Sequence, residues 1–462
     1  MLLKSNISDI KSIFKHDNIL FSEEECYCYA SDASDYSDEK SIPDLVVFPN
    51  SIEEIQSLLK YANMHDIPVV ARGAGTNMVG GCLCIDGGIV LNFSKMNKIL
   101  EVNPVNMTFR VQAGAVLGDI KKEVEKFGLY FPPDPSNYMV STIGGAISQS
   151  SGGAFSFKYG TTKDYVLSLK VVTANGELLT LGAETSKFAA GYHLTQLMVG
   201  SEGTLGIVVE AVLKLIPKPE TSNVIVAYFN SCDEAVSAVN KLLVNGIHPA
   251  AIEYMDNNSI ITIEEFLPSR FKTVYDCVIL IELDGDKQSV VSQSEKTVSI
   301  LKEMNSSKIY LPPTRDDYER VWRARRASYA AAARLAPDVI SDDIIVPRFK
   351  IAEVIKECRK ICMANNLKMC LVGHLGDGNF HPQIVLDTNN EEEFRNYNKA
   401  RAEIYSAVIS MGGSISAEHG IGLQKMDYLS KIADKNAIEY MRKIKNIFDP
   451  NNILNRGKVL GE

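Results

Sequence analysis

No Cys-x-x-Cys occurs in this chain, although it holds nine cysteines. They lie as Cys26-x-Cys28, Cys82-x-Cys84, Cys232, Cys277, Cys358, Cys362 and Cys370. The spacings of iron–sulfur clusters and structural zinc are therefore excluded. Gly-Lys-Ser and Gly-Lys-Thr are missing too, which excludes a P-loop. No apolar run approaches the roughly 20 residues that cross a bilayer. Ser5, Asn6 and Asp9 interrupt the apolar core that a secretory signal would need. No run of Lys and Arg offsets the formal net charge of −9, which argues against nucleic acid and anionic membrane surfaces as direct partners. These absences point to the cytoplasm and to reduced, mostly buried thiols.

What remains is an ordinary globular composition, 45% apolar and 23% charged, in 462 residues, too long for one compact domain. Ser51 to His65 carries a helical apolar stripe, with Ser51 as N-cap and Glu54 completing a capping box. Strands are expected at 67–71, 87–92, 108–113, 167–173 and 206–215, with a short helix at 119–127. Pro217 and Pro219 mark a boundary, giving a first domain over residues 1–218. Beyond it, strands near 223–228, 250–254 and 277–283 alternate with helices at 232–243 and 288–304. That order predicts an open antiparallel sheet with helices on one face.

Three clusters of small residues carry the cofactor argument. Arg72-Gly-Ala-Gly-Thr-Asn77 resembles a dinucleotide fingerprint but has Met78 at the third glycine. Ser141 to Gly153 and Gly200 to Gly206 add exposed backbone N–H groups and hydroxyls without bulk, suited to a close-lying pyrophosphate. Together with Pro132-Pro-Asp-Pro135, these segments resemble the FAD-binding domain of the vanillyl-alcohol oxidase and p-cresol methylhydroxylase superfamily. The resemblance implies an α+β fold: a two-part FAD-binding domain plus a cap domain with an antiparallel sheet and helices. It implies that Arg72, Gly73, Ala74, Gly75, Thr76 and Asn77 hold the pyrophosphate. Pro133, Asp134, Thr142, Gly145, Ser148 and Gly153 would line the flavin and ribityl chain, with Glu202 and Ile207 near the adenosine or isoalloxazine end. The first glycine turn has no histidine, so the FAD is expected to be non-covalent.

Three of the seven histidines fall in two motifs, Gly373-His-Leu-Gly-Asp-Gly-Asn-Phe-His381 and Ser416-Ala-Glu-His-Gly-Ile-Gly422. His374, His381 and Glu418 form a set suited to a divalent metal, zinc first, with iron or manganese as alternatives. Such a cation would acidify a substrate hydroxyl while the hydride leaves for the flavin. His419, beside Glu418, is the expected base, and Asn379 the expected partner of the substrate carboxylate or hydroxyl.

With Ala251-Ile-Glu-Tyr-Met-Asp256, Val346-Pro-Arg348, Gly412-Gly-Ser-Ile-Ser416 and Phe448-Asp-Pro-Asn-Asn-Ile-Leu-Asn455, the chain resembles the FAD-linked D-2-hydroxyacid dehydrogenases from about Pro43 to Gly457. Within that group it resembles glycolate oxidase FAD subunits and D-lactate dehydrogenases. The resemblance implies oxidation of D-lactate or glycolate to the 2-oxo acid. It also puts Arg325, in Trp322-Arg-Ala-Arg-Arg326, on the substrate carboxylate and leaves Arg323 and Arg326 in solvent. A substrate domain with the metal site is then expected over residues 219–440, and a tail over 441–462 that returns to the flavin and brings Asn455 onto it. Ser341 stands where relatives acting on 2-hydroxyglutarate have lysine, which favours a small monocarboxylate. Electrons would leave through a separate acceptor: an iron–sulfur subunit, an electron-transfer flavoprotein, a quinone or a cytochrome. The competing reading is an FAD-carrying subunit of a larger complex, inert alone. A homodimer and a peripheral membrane association through a partner are compatible with both.

Overall fold

The computed structural model describes residues 4–14, 16–35, 41–85 and 87–461, which form two compact units. Unit one comprises the described residues within 1–152, 161–218 and 418–462; unit two comprises 153–160 and 219–417. The chain thus passes into unit two twice, briefly over 153–160 and again over 219–417. Among the described residues no helix is long and apolar enough to cross a membrane.

Unit one has two main sheets. In the first, Ile19–Leu20, Leu45–Val47, Ile89–Asn92 and Val69–Arg72 lie side by side, the last three parallel. Helix Ile52–Met64 packs Ile55, Leu58, Leu59 and Ala62 into this core. Ser51 caps it by accepting the Glu54 N–H. The expected capping box is corrected at its second half: the Glu54 carboxylate accepts from the Asn50 N–H, one residue before the cap. The second sheet runs Ile99–Asn103, Thr108–Gln112, Ile207–Lys214, Val166–Val172 and Leu178–Gly182, all antiparallel. The carboxy-terminal tail joins the first sheet's edge: Val69 N–H donates to Ile453 and Asn455 N–H donates to Val69.

Unit two is built on an eight-stranded antiparallel sheet. From one edge the order is Lys308–Tyr310, Thr221–Phe229, Cys277–Gly285, Ala251–Asp256, Lys368–His374, Asn379–Leu386 and Asp338–Ser341, with Ile344–Ile345 also on Asn379–Leu386. Helices lie on both faces, not one. Helix Arg315–Arg326 meets one face through the Ser222–Tyr318 hydrogen bond. Helices Lys287–Glu303 and Ile351–Ala364 meet the other through Asn223–Ser294 and Tyr254–Arg359. The reason is visible in Cys277-Val-Ile-Leu-Ile-Glu-Leu283, where both alternating sets are buried, as in a strand covered on each side.

Candidate active site

Unit one contains a cleft that opens to solvent. Arg72 to Asn77, Thr142, Gly145, Ser148, Glu202 and Ile207 line it, as do Glu418 and His419. Three chain segments far apart in sequence therefore meet here, and the Glu418-His419 pair joins them.

The glycines are required by close approach. A Cβ on Gly73 would collide with Thr142 Oγ1, and Gly75 sits at φ +74° against the Arg72 guanidinium. That guanidinium is itself committed, donating to the Ser31 carbonyl at 2.8 Å and more weakly to Tyr29. An anion in this cleft would meet chiefly backbone N–H groups. Ser141 Oγ and Gln149 Oε1, both lining the cleft, are buried with no hydrogen-bond partner from the protein. A long, narrow, polar cofactor of FAD's kind fits such a cradle.

Four of the expected cofactor residues stand apart from this lining. Asp134 pairs with Lys121 at 3.3 Å, and Pro133 is buried next to it. Gly153 belongs to unit two. Asn455 acts one layer back, donating from Nδ2 to the carbonyls of Gly81 and Glu202. Lys458 supports the same layer, donating to the Gly81 and Leu83 carbonyls and to Asn455 Oδ1; burial draws its ammonium down to about 8. Nothing in the sequence marked Lys458, because a lone lysine three residues past Asn455 has no signature.

Strand register assembles the site in unit two. His374 pairs with Glu253 on one side and Asn379 on the other, while His381 pairs with Val372. Paired residues share a face and every second residue returns to it. Glu253, His374, Asn379 and His381 therefore project from one face. The two imidazoles meet edge to face with ring centres 5.3 Å apart.

Each imidazole has a buried carboxylate beside it. His374 Nδ1 lies 2.6 Å from Glu253 Oε1, and the other Glu253 oxygen pairs with Arg325 Nη2 at 2.8 Å. Burial pushes the Glu253 carboxyl up, but His374 and Arg325 together outweigh it and hold the group below its ordinary value. A carboxylate on Nδ1 leaves the imidazole lone pair at Nε2, the arrangement that orients a metal-binding histidine. His381 Nδ1 is 3.9 Å from Asp343 Oδ1. Asp343 is fully buried and accepts from Asn379, from the Ser416 hydroxyl and from the Ala417 N–H. Two nearby imidazoles with carboxyl groups behind them suit a divalent cation.

The expected arginine is buried, while Arg323 and Arg326 are exposed as expected. Besides Glu253, Arg325 Nη1 reaches Ser328 Oγ at 3.3 Å, and its Nε is buried with no acceptor from the protein. Asn379 donates both amide hydrogens, to Asp343 and to the Ile344 carbonyl, so only its oxygen remains to face a ligand. It can accept from a hydroxyl but cannot donate to a carboxylate.

Tyr318, Trp322 and Arg325 form one stripe of their helix and meet the sheet carboxylates. Tyr318 OH donates to Glu282 at 2.6 Å and Trp322 Nε1 at 3.0 Å. Burial raises the Glu282 carboxyl to about 7. Its folded value therefore exceeds the unfolded one. The stability it contributes is present at low pH and is lost as pH rises through about 7. Fluorescence of the single tryptophan is expected to titrate with a midpoint near 7, and Glu282→Gln is expected to abolish that transition. A flat profile in the parent would remove the assignment.

Glu253, Glu282 and Asp343 were not singled out from the sequence. Their available signal was a charge inside an apolar strand or before one, as in Ala251-Ile-Glu-Tyr-Met and Asp342-Asp-Ile-Ile-Val346.

Residues 218–459 match the family described as "FAD linked oxidases, C-terminal domain", and residues 43–182 match "FAD binding domain". The chain is 41% identical over 423 residues to the glycolate oxidase subunit GlcD of Bacillus subtilis (strain 168), covering 92% of this chain and 90% of that one. It is 34% identical over 430 residues to the D-lactate dehydrogenase of Anaerostipes hadrus, covering 91% and 90%. In fold it is similar to p-cresol methylhydroxylase, with a TM-score of 0.85 at 16% identity over 99% of this chain and 98% of that chain.

Proposed function

This chain belongs to the FAD-linked oxidase family, and from that premise we propose that it oxidises a small D-2-hydroxy acid, D-lactate or glycolate, to the 2-oxo acid. The relatives named as a glycolate oxidase subunit and a D-lactate dehydrogenase support this substrate class. The observation that carries the reading is the register of unit two, which sets two imidazoles, an asparagine acceptor and a buried arginine on one surface. When bound, FAD supplies the two-electron acceptor. Arg325 Nε–H takes the substrate carboxylate, a preference that follows from its buried, unsatisfied donor. His419 removes the hydroxyl proton, a step for which neutral imidazole is suited near pH 7.

His374, His381 and Glu418 are the proposed metal ligands, zinc being the first candidate. A divalent cation held by them would lower the pKa of the hydroxyl that His419 deprotonates. Ser341, a small neutral residue paired with Gln383, supplies no cation for a second substrate carboxylate. Electrons then pass to a separate acceptor. That one relative is named as a subunit favours a protein partner, an iron–sulfur subunit or an electron-transfer flavoprotein. We place the protein in the cytoplasm.

Anaerobic mixing of the purified holoenzyme with D-lactate, L-lactate and glycolate tests the reading. Visible flavin absorbance is expected to bleach with D-lactate or glycolate and to persist with L-lactate. Persistence with all three, with zinc or manganese supplied, would sink it.

A further inference from the structure

The segment Ala417 to Gly422 carries both Glu418 and His419 yet contains no helix or strand. Two of its glycines lie in the left-handed region, Gly420 at φ +86° and Gly422 at φ +50°. Without a ladder of its own, such a segment keeps its shape only through contacts made from outside it. Two buried carboxylates supply such contacts, one at each end and each within its own unit. In unit two, Asp343 Oδ2 accepts the Ala417 N–H at 2.8 Å and the Ser416 hydroxyl at 3.3 Å. In unit one, Glu202 accepts the Ile421 N–H at 2.8 Å on one oxygen and the Gly422 N–H at 2.9 Å on the other. Gly420 is packed so closely that a Cβ there would approach the Glu202 carboxylate to 2.9 Å.

We propose that Asp343 and Glu202 are positioning residues that hold the two ends of the loop presenting Glu418 and His419. The inference rests on the functional reading of those two side chains. Carboxyl acceptors suit the task because each offers two oxygens and so can take two or more donors at once. Asp343 also accepts from Asn379 at 2.8 Å, so one side chain ties the head of the histidine hairpin to the start of the loop. Its neighbour Asp342 is pinned in turn by Arg401 and Tyr405 of helix Glu391–Ser410. Glu202, expected from the resemblance to touch the cofactor, does line the cleft, but both its oxygens serve the loop.

The isosteric variants Asp343→Asn and Glu202→Gln each turn an NH₂ group toward N–H donors. Amide hydrogen exchange is expected to accelerate about tenfold or more at Ala417 in the first and at Ile421 and Gly422 in the second. With D-lactate, kcat is expected to fall about a hundredfold while KM moves less than about threefold, the signature of a misplaced base rather than lost binding. Unchanged exchange in both variants overturns the proposal. So does faster exchange with parental kcat, or a fall in kcat/KM carried by KM alone. Should a variant fail to fold, the parent decides: these three amides must exchange slowly although they lie outside regular structure, and fast exchange there overturns the clamp. If the parent's flavin is reduced by no hydroxy acid, the functional reading falls while the exchange data still judge the clamp.

Discussion

His374→Ala is expected to retain FAD and lose hydroxy-acid-dependent flavin reduction by at least about a hundredfold, since changes merely behind a metal ligand already cost 10–100-fold. The two readouts separate because the cleft that fits FAD is lined entirely by unit one, whereas His374 ends a strand of unit two. The truncation removes an imidazole held at 2.6 Å by Glu253 and edge-on to His381. The proposed cation is expected to be lost with it, which elemental analysis of parent and variant would read. Glu253 keeps its ion pair with Arg325, so the sheet has reason to survive. Parental reduction rates in this variant would show the histidine loop to be structural.

Glu253→Gln is expected to lower stability by about 3–5 kcal/mol, because breaking a buried pair from one side strands the other charge. Arg325 is that stranded charge, its side chain only 10% exposed. The melting temperature is expected to drop by about 10 °C. Turnover is expected to fall 10–100-fold, roughly the worth of a carboxylate that orients a metal-binding histidine. The pH dependence has a definite sign. The folded Glu253 carboxyl lies below its ordinary value of 4.5, so the stability it contributes is present above that pH and is lost as pH falls through the folded value. The glutamine variant should lack this acid limb. A melting point unchanged from the parent, with the same acid dependence, would show that the pair contributes nothing.

Local signals in the chain were sufficient where the physics is local. Helix Cys232–Val244 and strand Ala251–Asp256 begin within a residue of expectation, because caps and alternating burial are properties of short windows. The glycine clusters were legible for a similar reason: a backbone that must approach a ligand closely excludes Cβ wherever it occurs. The meeting of His374 and His381 was legible because a tight hairpin joins their two strands.

The partners of those histidines were not legible. Glu253 reaches His374 across 121 residues, through a sheet in which strand Ala251–Asp256 sits between Cys277–Gly285 and Lys368–His374. No window of sequence encodes which distant strand lies alongside, or in which register. The same limit hid the Asp343 contact to Ala417 and the Glu202 contacts to Ile421 and Gly422.

By itself, then, the sequence determined the chemical inventory: cofactor clusters, two imidazoles on a hairpin, and a Glu-His pair in a glycine-flanked loop. Only the tertiary structure decided which buried carboxylates stand behind that inventory. Residue type and spacing are written along the chain, but the charge balance of a buried site is set by side chains that long-range strand pairing brings together.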